Sequence, residues 1–275
     1  MPGESRPRAG RAVASLLVFT VAAAAATLAV WALWEGWQPE PPIPEERPIV
    51  DDPSVHIPKA GLVARVAVHD AEETLRIVEA LQRGGVTAVA LQAPLQALPQ
   101  AIGRARAAFA RRVLVGASGV HALQDVQEAV RAGDEFVLMS SLEPEAIRAC
   151  QDARVLAIPG AFSATEIRQA WGLRTGLVAL FPAGQAGAAY VRELLREAPD
   201  MSVVVAGGIT PENAGEFIRA GAAAVVASDW AVGEGRDDDA VARRARAFVE
   251  AIDRARTRPV RPAPPITPIE GPAIR

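Results

Sequence analysis

Lysine is nearly absent from this chain. Among 29 basic residues in 275, only Lys59 is a lysine and all the others are arginines. Arginine stays protonated and cannot act as an amine nucleophile, so any imine chemistry would rest on Lys59 or the N-terminus. Cysteine is as scarce. Cys150 alone closes no intrachain disulfide and builds no thiolate zinc cluster, and it is expected to pack as a small buried hydrophobe. An excess of positive charge is lacking too: the formal net charge is −3, without the basic footprint that phosphate neutralisation requires, which excludes nucleic acid as a partner. No Gly-x-Gly-x-x-Gly follows the first β-like run, which argues against a dinucleotide-binding doubly wound sheet. What the chain does have is apolar bulk, 50% of its residues, enough for a sizeable core.

The apolar residues are unevenly placed. Residues 1–11 carry Arg6, Arg8 and Arg11, and residues 12–34, AVASLLVFTVAAAAATLAVWALW, carry no charge. At about 1.5 Å per residue this helix would cover about 34 Å, against a hydrocarbon core of about 30 Å. Trp31, Trp34 and Trp37 fall at the headgroup level, and the arginines lie only before the span. A single transmembrane helix is therefore expected, with residues 1–11 cytoplasmic and the rest of the chain outside the cytoplasm, at the cell membrane. A cleaved signal peptide is the alternative, but the stretch is longer than a usual h-region and ends in bulky residues. Residues 35–60, rich in proline and acid, are expected to form an extended spacer, and residues 257–275 a Pro-rich disordered tail.

Between spacer and tail, over 61–256, one unit repeats. Apolar β-branched runs at 62–68, 86–92, 112–117, 135–139, 154–160, 175–181, 201–208 and 222–228 each precede a segment at helical spacing. Continuously apolar strands joined by helical crossovers imply a parallel sheet buried on both faces. Eight such pairs predict an α/β fold, the (β/α)8 TIM barrel, with its site at the C-terminal strand ends.

Those ends are mostly neutral. They offer His69 and Asp70, then Gln92, then Ser118 with His121, then Ser140 and Ser141, Pro159-Gly160, Phe181-Pro182, Gly207-Gly208, and Ser228-Asp229-Trp230. The sixth, LVALFPAGQA, holds no acid, base or nucleophile between Leu177 and Gln185. In the seventh, Gly-Gly followed by Thr210 and Pro211 fits either an anion seat at a helix N-terminus or a tight turn that needs glycine only for its backbone angles. His69, His121 and Asp229 have no metal-binding spacing, and no metal or cofactor is expected. The Arg-rich helix at 237–256 and Trp171 and Trp230 are expected to be structural.

The stretches VGASGVHALQDVQEAVRAGDEFVLMSS, VLAIPGAFSATEI, ALFPAG and VVVAGGITPENAGEFIRAGAAAVVAS, in that order, resemble the 2-keto-3-deoxy-6-phosphogluconate (KDPG) aldolases. The likeness extends to HDAEETLRIVEALQRGGVTAV and covers nearly all of residues 62–232. It implies a small (β/α)8 barrel, commonly trimeric, whose active members are class I aldolases that release pyruvate from a phosphorylated 2-keto acid. It also implies specific losses. The imine-forming lysine, two residues before Phe-Pro, falls at Ala179; the general-base glutamate falls at Ala90; the carboxylate-binding arginine falls at Pro94. The family threonine after the third strand matches Gly119 and the pocket-lining proline after the fourth matches Ser140, while Phe181, Pro182, Gly207 and Gly208 remain. Where the family holds phosphate on a glycine-rich turn, this chain has Ala227-Ser228-Asp229, whose carboxylate would repel it.

The expectation is a membrane-anchored, catalytically inactive barrel, a pseudoenzyme that binds or scaffolds outside the cytoplasm. Gln92, Ser118, Ser140, Phe181, Pro182, Gly207, Gly208, Ser228 and Asp229 would line a mouth suited to a small neutral or cationic ligand. The alternative is an aldolase or lyase acting on a 2-keto acid through a non-standard set of residues; Lys59, just before the first strand, lies at the wrong end of a barrel for that role.

Overall fold

In the computed structural model the described residues are 52–92, 98–109, 112–228, 233 and 237–257. They belong to the second of two compact units, Pro48–Arg275. The expected membrane span, the tail from 258 on, Pro94, and Asp229 with Trp230 lie outside them. Among the described residues no helix is long and apolar enough to cross a membrane.

The strands are β1 (Leu62–Ala67), β2 (Ala88–Gln92), β3 (Leu114–Val120), β4 (Phe136–Met139), β5 (Leu156–Ile158), β6 (Gly160–Ala161), β7 (Val178–Leu180), β8 (Val203–Ala206) and β9 (Ala224–Ala227). All pair in parallel, in the order β5-β4-β3-β2-β1-β9-β8-β7-β6. The two ends of that order are β5 and β6, which are consecutive in the chain and separated only by Pro159. The fifth predicted run is thus one strand interrupted where proline has no N–H to give, and it closes the barrel. Its carbonyl side still serves, since Ala179 N donates to Pro159 O at 2.8 Å.

Helices α1 (Pro53–Ala60), α2 (Ala71–Arg83), α3 (Leu98–Phe109), α4 (Leu123–Ala132), α5 (Pro144–Asp152), α6 (Ala164–Gly172), α7 (Ala183–Glu197), α8 (Pro211–Arg219) and α9 (Asp238–Thr257) fill the connections. Every strand buries both faces. One parity (Ala64, Val66, Val89, Val115, Val178, Val225) packs under the helices. The other (Val63, Ala90, Phe136, Ala179, Val204, Val226) fills the interior. That double burial is why the runs carry no polar alternation.

The expected spacer differs at its end. Residues 53–60 form α1, capped by the Asp52 carboxylate on Ser54 N at 2.9 Å and begun by Pro53, which suits a first helical turn. Ile57 is fully buried in the interior cluster, so α1 plugs the N-terminal end of the barrel. Arg256, near the end of α9, ties it down by donating to Pro58 O at 2.6 Å and Lys59 O at 2.7 Å. Lys59 is therefore at the end of the barrel away from the strand C-termini.

One charged group sits in the outer core. Asp134, between α4 and β4, is 1% exposed and neither carboxylate oxygen has a hydrogen-bond partner among the described residues. Burial pushes its pKa well above the ordinary carboxylate range; Arg106 opposes that and Glu135 adds to it. Burial, and then the Asp134 charge, push the Cys150 thiol up to about 12, as befits a packed and unreactive cysteine. The folded chain holds the Asp134 proton more tightly than the unfolded one, so stability falls as pH rises from the ordinary carboxylate range through the raised value. Asp134→Asn should stabilise by about 1–3 kcal/mol at pH 8, with the gain shrinking towards pH 4, in urea denaturation at the two pH values.

Candidate functional site

At the C-terminal end of the strands a small hollow of about 60 Å³ enters the barrel. Of the expected residues, Ser118, Ser140, Phe181, Gly207 and Ser228 line it. Gln92 stands beside it as a partner of one lining residue. Pro182, which precedes α7, and Gly208, in the turn before α8, are not among its lining residues. Asp229 lies outside the described residues.

β3 runs three residues beyond its expected end. A register shift between Ser118 and Val120 is centred on Gly119, whose φ of +74° is a left-handed conformation that glycine adopts without strain. The bulge leaves Ser118 3% exposed, facing the hollow, with its Oγ lacking any hydrogen-bond partner among the described residues.

Gly207 and Gly208 both have left-handed φ, +83° and +74°. A Cβ on Gly207 would come 2.8 Å from Cε2 of Phe181, so the glycine also makes room for that ring, which is 44% exposed at the mouth. Asn213 holds the turn, its amide donating to Gly208 O and its carbonyl accepting from Thr210 N, each at 2.9 Å. Glycine is needed here for backbone angles and close packing, and the first amide before α8 is already taken. Of the two readings of this turn, the structural one fits better.

The position matched to the imine-forming lysine, Ala179, is fully buried in the interior cluster and its methyl forms part of the wall of the hollow. Ala90, matched to the general base, is fully buried in the same cluster. Sequence reasoning missed the charge that faces the hollow among the described lining residues. Arg65, in the middle of β1, follows the inward parity of Val63, is part-buried, and donates from its guanidinium to Gln92 Oε1. The signal was an arginine at an inward position of LVARVAV, whereas attention to strand ends passes over it. The described lining contains this cation and no carboxylate; Asp229, on which the expected negative charge rested, lies outside the described residues.

His69 is exposed, with Nδ1 3.1 Å from Glu73 Oε2, and His121 is exposed on the turn before α4. Among the described residues no three His, Cys, Asp or Glu side chains are grouped to hold a metal ion.

A barrel of this size, closed around an interior of small and branched side chains with a hollow at the strand C-termini, defines a class that the comparisons make specific. Residues 54–244 match the family described as KDPG and KHG aldolase, and the chain belongs to that family. It is 28% identical to the 2-dehydro-3-deoxy-6-phosphogalactonate aldolase of Escherichia coli (strain K12) over 198 residues, 72% of this chain and 97% of that one. A solved native KDPGal structure superposes with a TM-score of 0.66 at 28% identity, covering 70% of this chain and 95% of that one. A cube-shaped, highly porous protein cage designed by fusing symmetric oligomeric domains superposes with a TM-score of 0.67 at 27% identity, covering 71% and 73%.

Proposed function

We propose that this chain is a membrane-anchored member of the aldolase family that does not cleave carbon–carbon bonds and instead binds a small molecule at the barrel mouth, outside the cytoplasm. The observation that carries the reading is the wall of the hollow: it contains the Ala179 methyl, and no lysine, carboxylate, histidine or thiol stands among the described lining residues. Without an amine there is no covalent intermediate, and without a base there is no proton transfer, so the two steps of imine-based aldol cleavage lose their agents together. The anchor is supported by the uncharged stretch 12–34 with arginines only before it. Export agrees with inactivity, because phosphorylated sugar acids are made and kept in the cytoplasm. A trimer is part of the proposal. It follows from the family resemblance and is in keeping with the similarity to a cage of symmetric oligomeric domains.

The second reading, a lyase acting on a 2-keto acid with other residues, is favoured by family membership itself. One preparation separates the two. The full-length chain, taken from carbonate-washed membranes into detergent, is treated with pyruvate and borohydride and assayed with the phosphorylated 2-keto acids of the family. The expected result is a membrane-bound chain of unchanged intact mass and no pyruvate release above the blank. A reduced pyruvate adduct on any barrel residue, or turnover, refutes the inactive reading, and recovery in the wash refutes the anchor.

A further inference from the structure

The chemistry of the ligand can be taken further, on the basis of the binding reading above. Arg65 presents five N–H donors in a planar fork, and among the described residues its hydrogen-bond partner is the neutral Gln92 Oε1. A part-buried guanidinium with no carboxylate among the described lining residues is partly desolvated, and such a charge favours a bound anion over an empty site. A second donor lines the same hollow, since Ser118 Oγ is almost fully buried and has no hydrogen-bond partner among the described residues.

The surroundings of Arg65 are built for it. Ala90 is its register partner across β1 and β2, and Ala179 lines the same hollow from β7. Both are methyl-sized, so neither competes for the space of the guanidinium. Gln92, which holds it, lies over Gly119, where a Cβ would come 3.0 Å from the Gln92 amide nitrogen. The residues at 90, 119 and 179 that lack the family's functional side chains are therefore the ones that make room for Arg65 and Gln92. They act as one constellation centred on a cation that has moved from the seventh strand to the first.

We infer that this site holds a small, unphosphorylated monocarboxylate without covalent attachment, its two oxygens on the Arg65 fork and Ser118 Oγ as an additional donor. A planar carboxylate matches the guanidinium fork. One guanidinium with neutral hydroxyls balances a single charge, whereas a phosphate dianion would call for more donors than the turn before α8 offers, because Thr210 N is already bound to Asn213.

The test uses the full-length chain in detergent, titrated calorimetrically with acetate, glycolate and pyruvate, and in parallel with acetamide and inorganic phosphate. At least one carboxylate should bind saturably. Its affinity should fall at least about tenfold in Arg65→Met, the equivalent of about 1.4 kcal/mol, and be partly kept in Arg65→Lys. Gly119→Thr, which displaces Gln92 and leaves the charge, should also weaken it, and serves if Arg65→Met does not fold. The assignment is overturned if no carboxylate saturates at millimolar concentration, if acetamide or phosphate binds as tightly, or if the folded Arg65 and Gly119 variants bind as the parent does. Borohydride added to the pyruvate sample keeps the two readings apart. An adduct overturns the non-catalytic reading, whereas no binding and no adduct overturns only the ligand assignment.

Discussion

Ala179→Lys should cost about 3–5 kcal/mol of stability at pH 7, the range observed when a buried charge is left uncompensated. Position 179 is fully buried, its neighbours in the wall of the hollow include Arg65, and no carboxylate lies among the described lining residues. The new ammonium would face a guanidinium across the hollow from a fully buried position, and desolvation and like-charge repulsion both favour its neutral form. Its folded pKa would therefore lie below the unfolded value. The penalty is complete below the folded pKa and disappears as pH rises to the unfolded one, since the unfolded chain binds the extra proton. Urea denaturation at pH 7 and pH 10 should show the large loss at the first and most of it regained at the second. Adding Ala90→Glu, or removing the cation in Arg65→Leu, should each restore part of the stability at pH 7. A loss under about 1 kcal/mol, or no recovery in either double variant, would mean that Arg65 does not set the charge of this site. Domains are commonly stable by about 5–15 kcal/mol, so the single variant would put the fold at risk. Reinstating the nucleophile alone is thus not a route back to catalysis.

The fold was largely legible because both faces of every strand are buried, so the runs stand out as uninterrupted apolar segments between helices. Their ends were less legible. Val120 belongs to β3 because of a bulge at Gly119, and Pro159 divides one strand into β5 and β6, both of which depend on hydrogen-bond pairing with neighbours remote in sequence. Helix α1 was hidden by its composition: Pro53 and Pro58 in an acidic, proline-rich stretch suggest an extended chain. Yet Pro53 falls in the first turn, and burial of Ile57 against the interior decides for helix. At the site, the strand-end rule found Ser118, Ser140, Phe181, Gly207 and Ser228 because in a barrel those positions surround the mouth. It missed Arg65, which lies two residues before the end of β1 and whose guanidinium reaches Gln92 at the end of β2. Side-chain reach, which a list of strand ends ignores, was the missing quantity.

The floor under that arginine gives the other large effect. Phe136, the first residue of β4, is fully buried in the interior cluster. It lies against Gly116 on β3, where a Cβ would come 2.3 Å from the Phe136 carbonyl oxygen and 2.6 Å from Cδ1 of its ring. The glycine is small because both the Phe136 carbonyl and its ring press on this position, and the carbonyl contact is fixed by the backbone of β4. Phe136→Ala should lose about 3–5 kcal/mol, because the transfer energy of the ring is forfeited and closed strands collapse little into the cavity left behind. Gly116→Ala should destabilise by about 1–3 kcal/mol through overpacking. The Phe136 carbonyl stays when its ring is removed, so the costs should add only in part: Gly116→Ala/Phe136→Ala relieves the ring contact and keeps the backbone clash, and the double variant should be less stable than Phe136→Ala alone but more stable than the summed losses predict. Thermal and urea denaturation of the four chains completes the cycle, and strict additivity would show that the two positions do not share the interior. Binding provides a second readout. With the ring gone the base of the interior can relax, and the loss of carboxylate affinity in Phe136→Ala would separate a hollow shaped by its floor from one set by Arg65 and Gln92 alone.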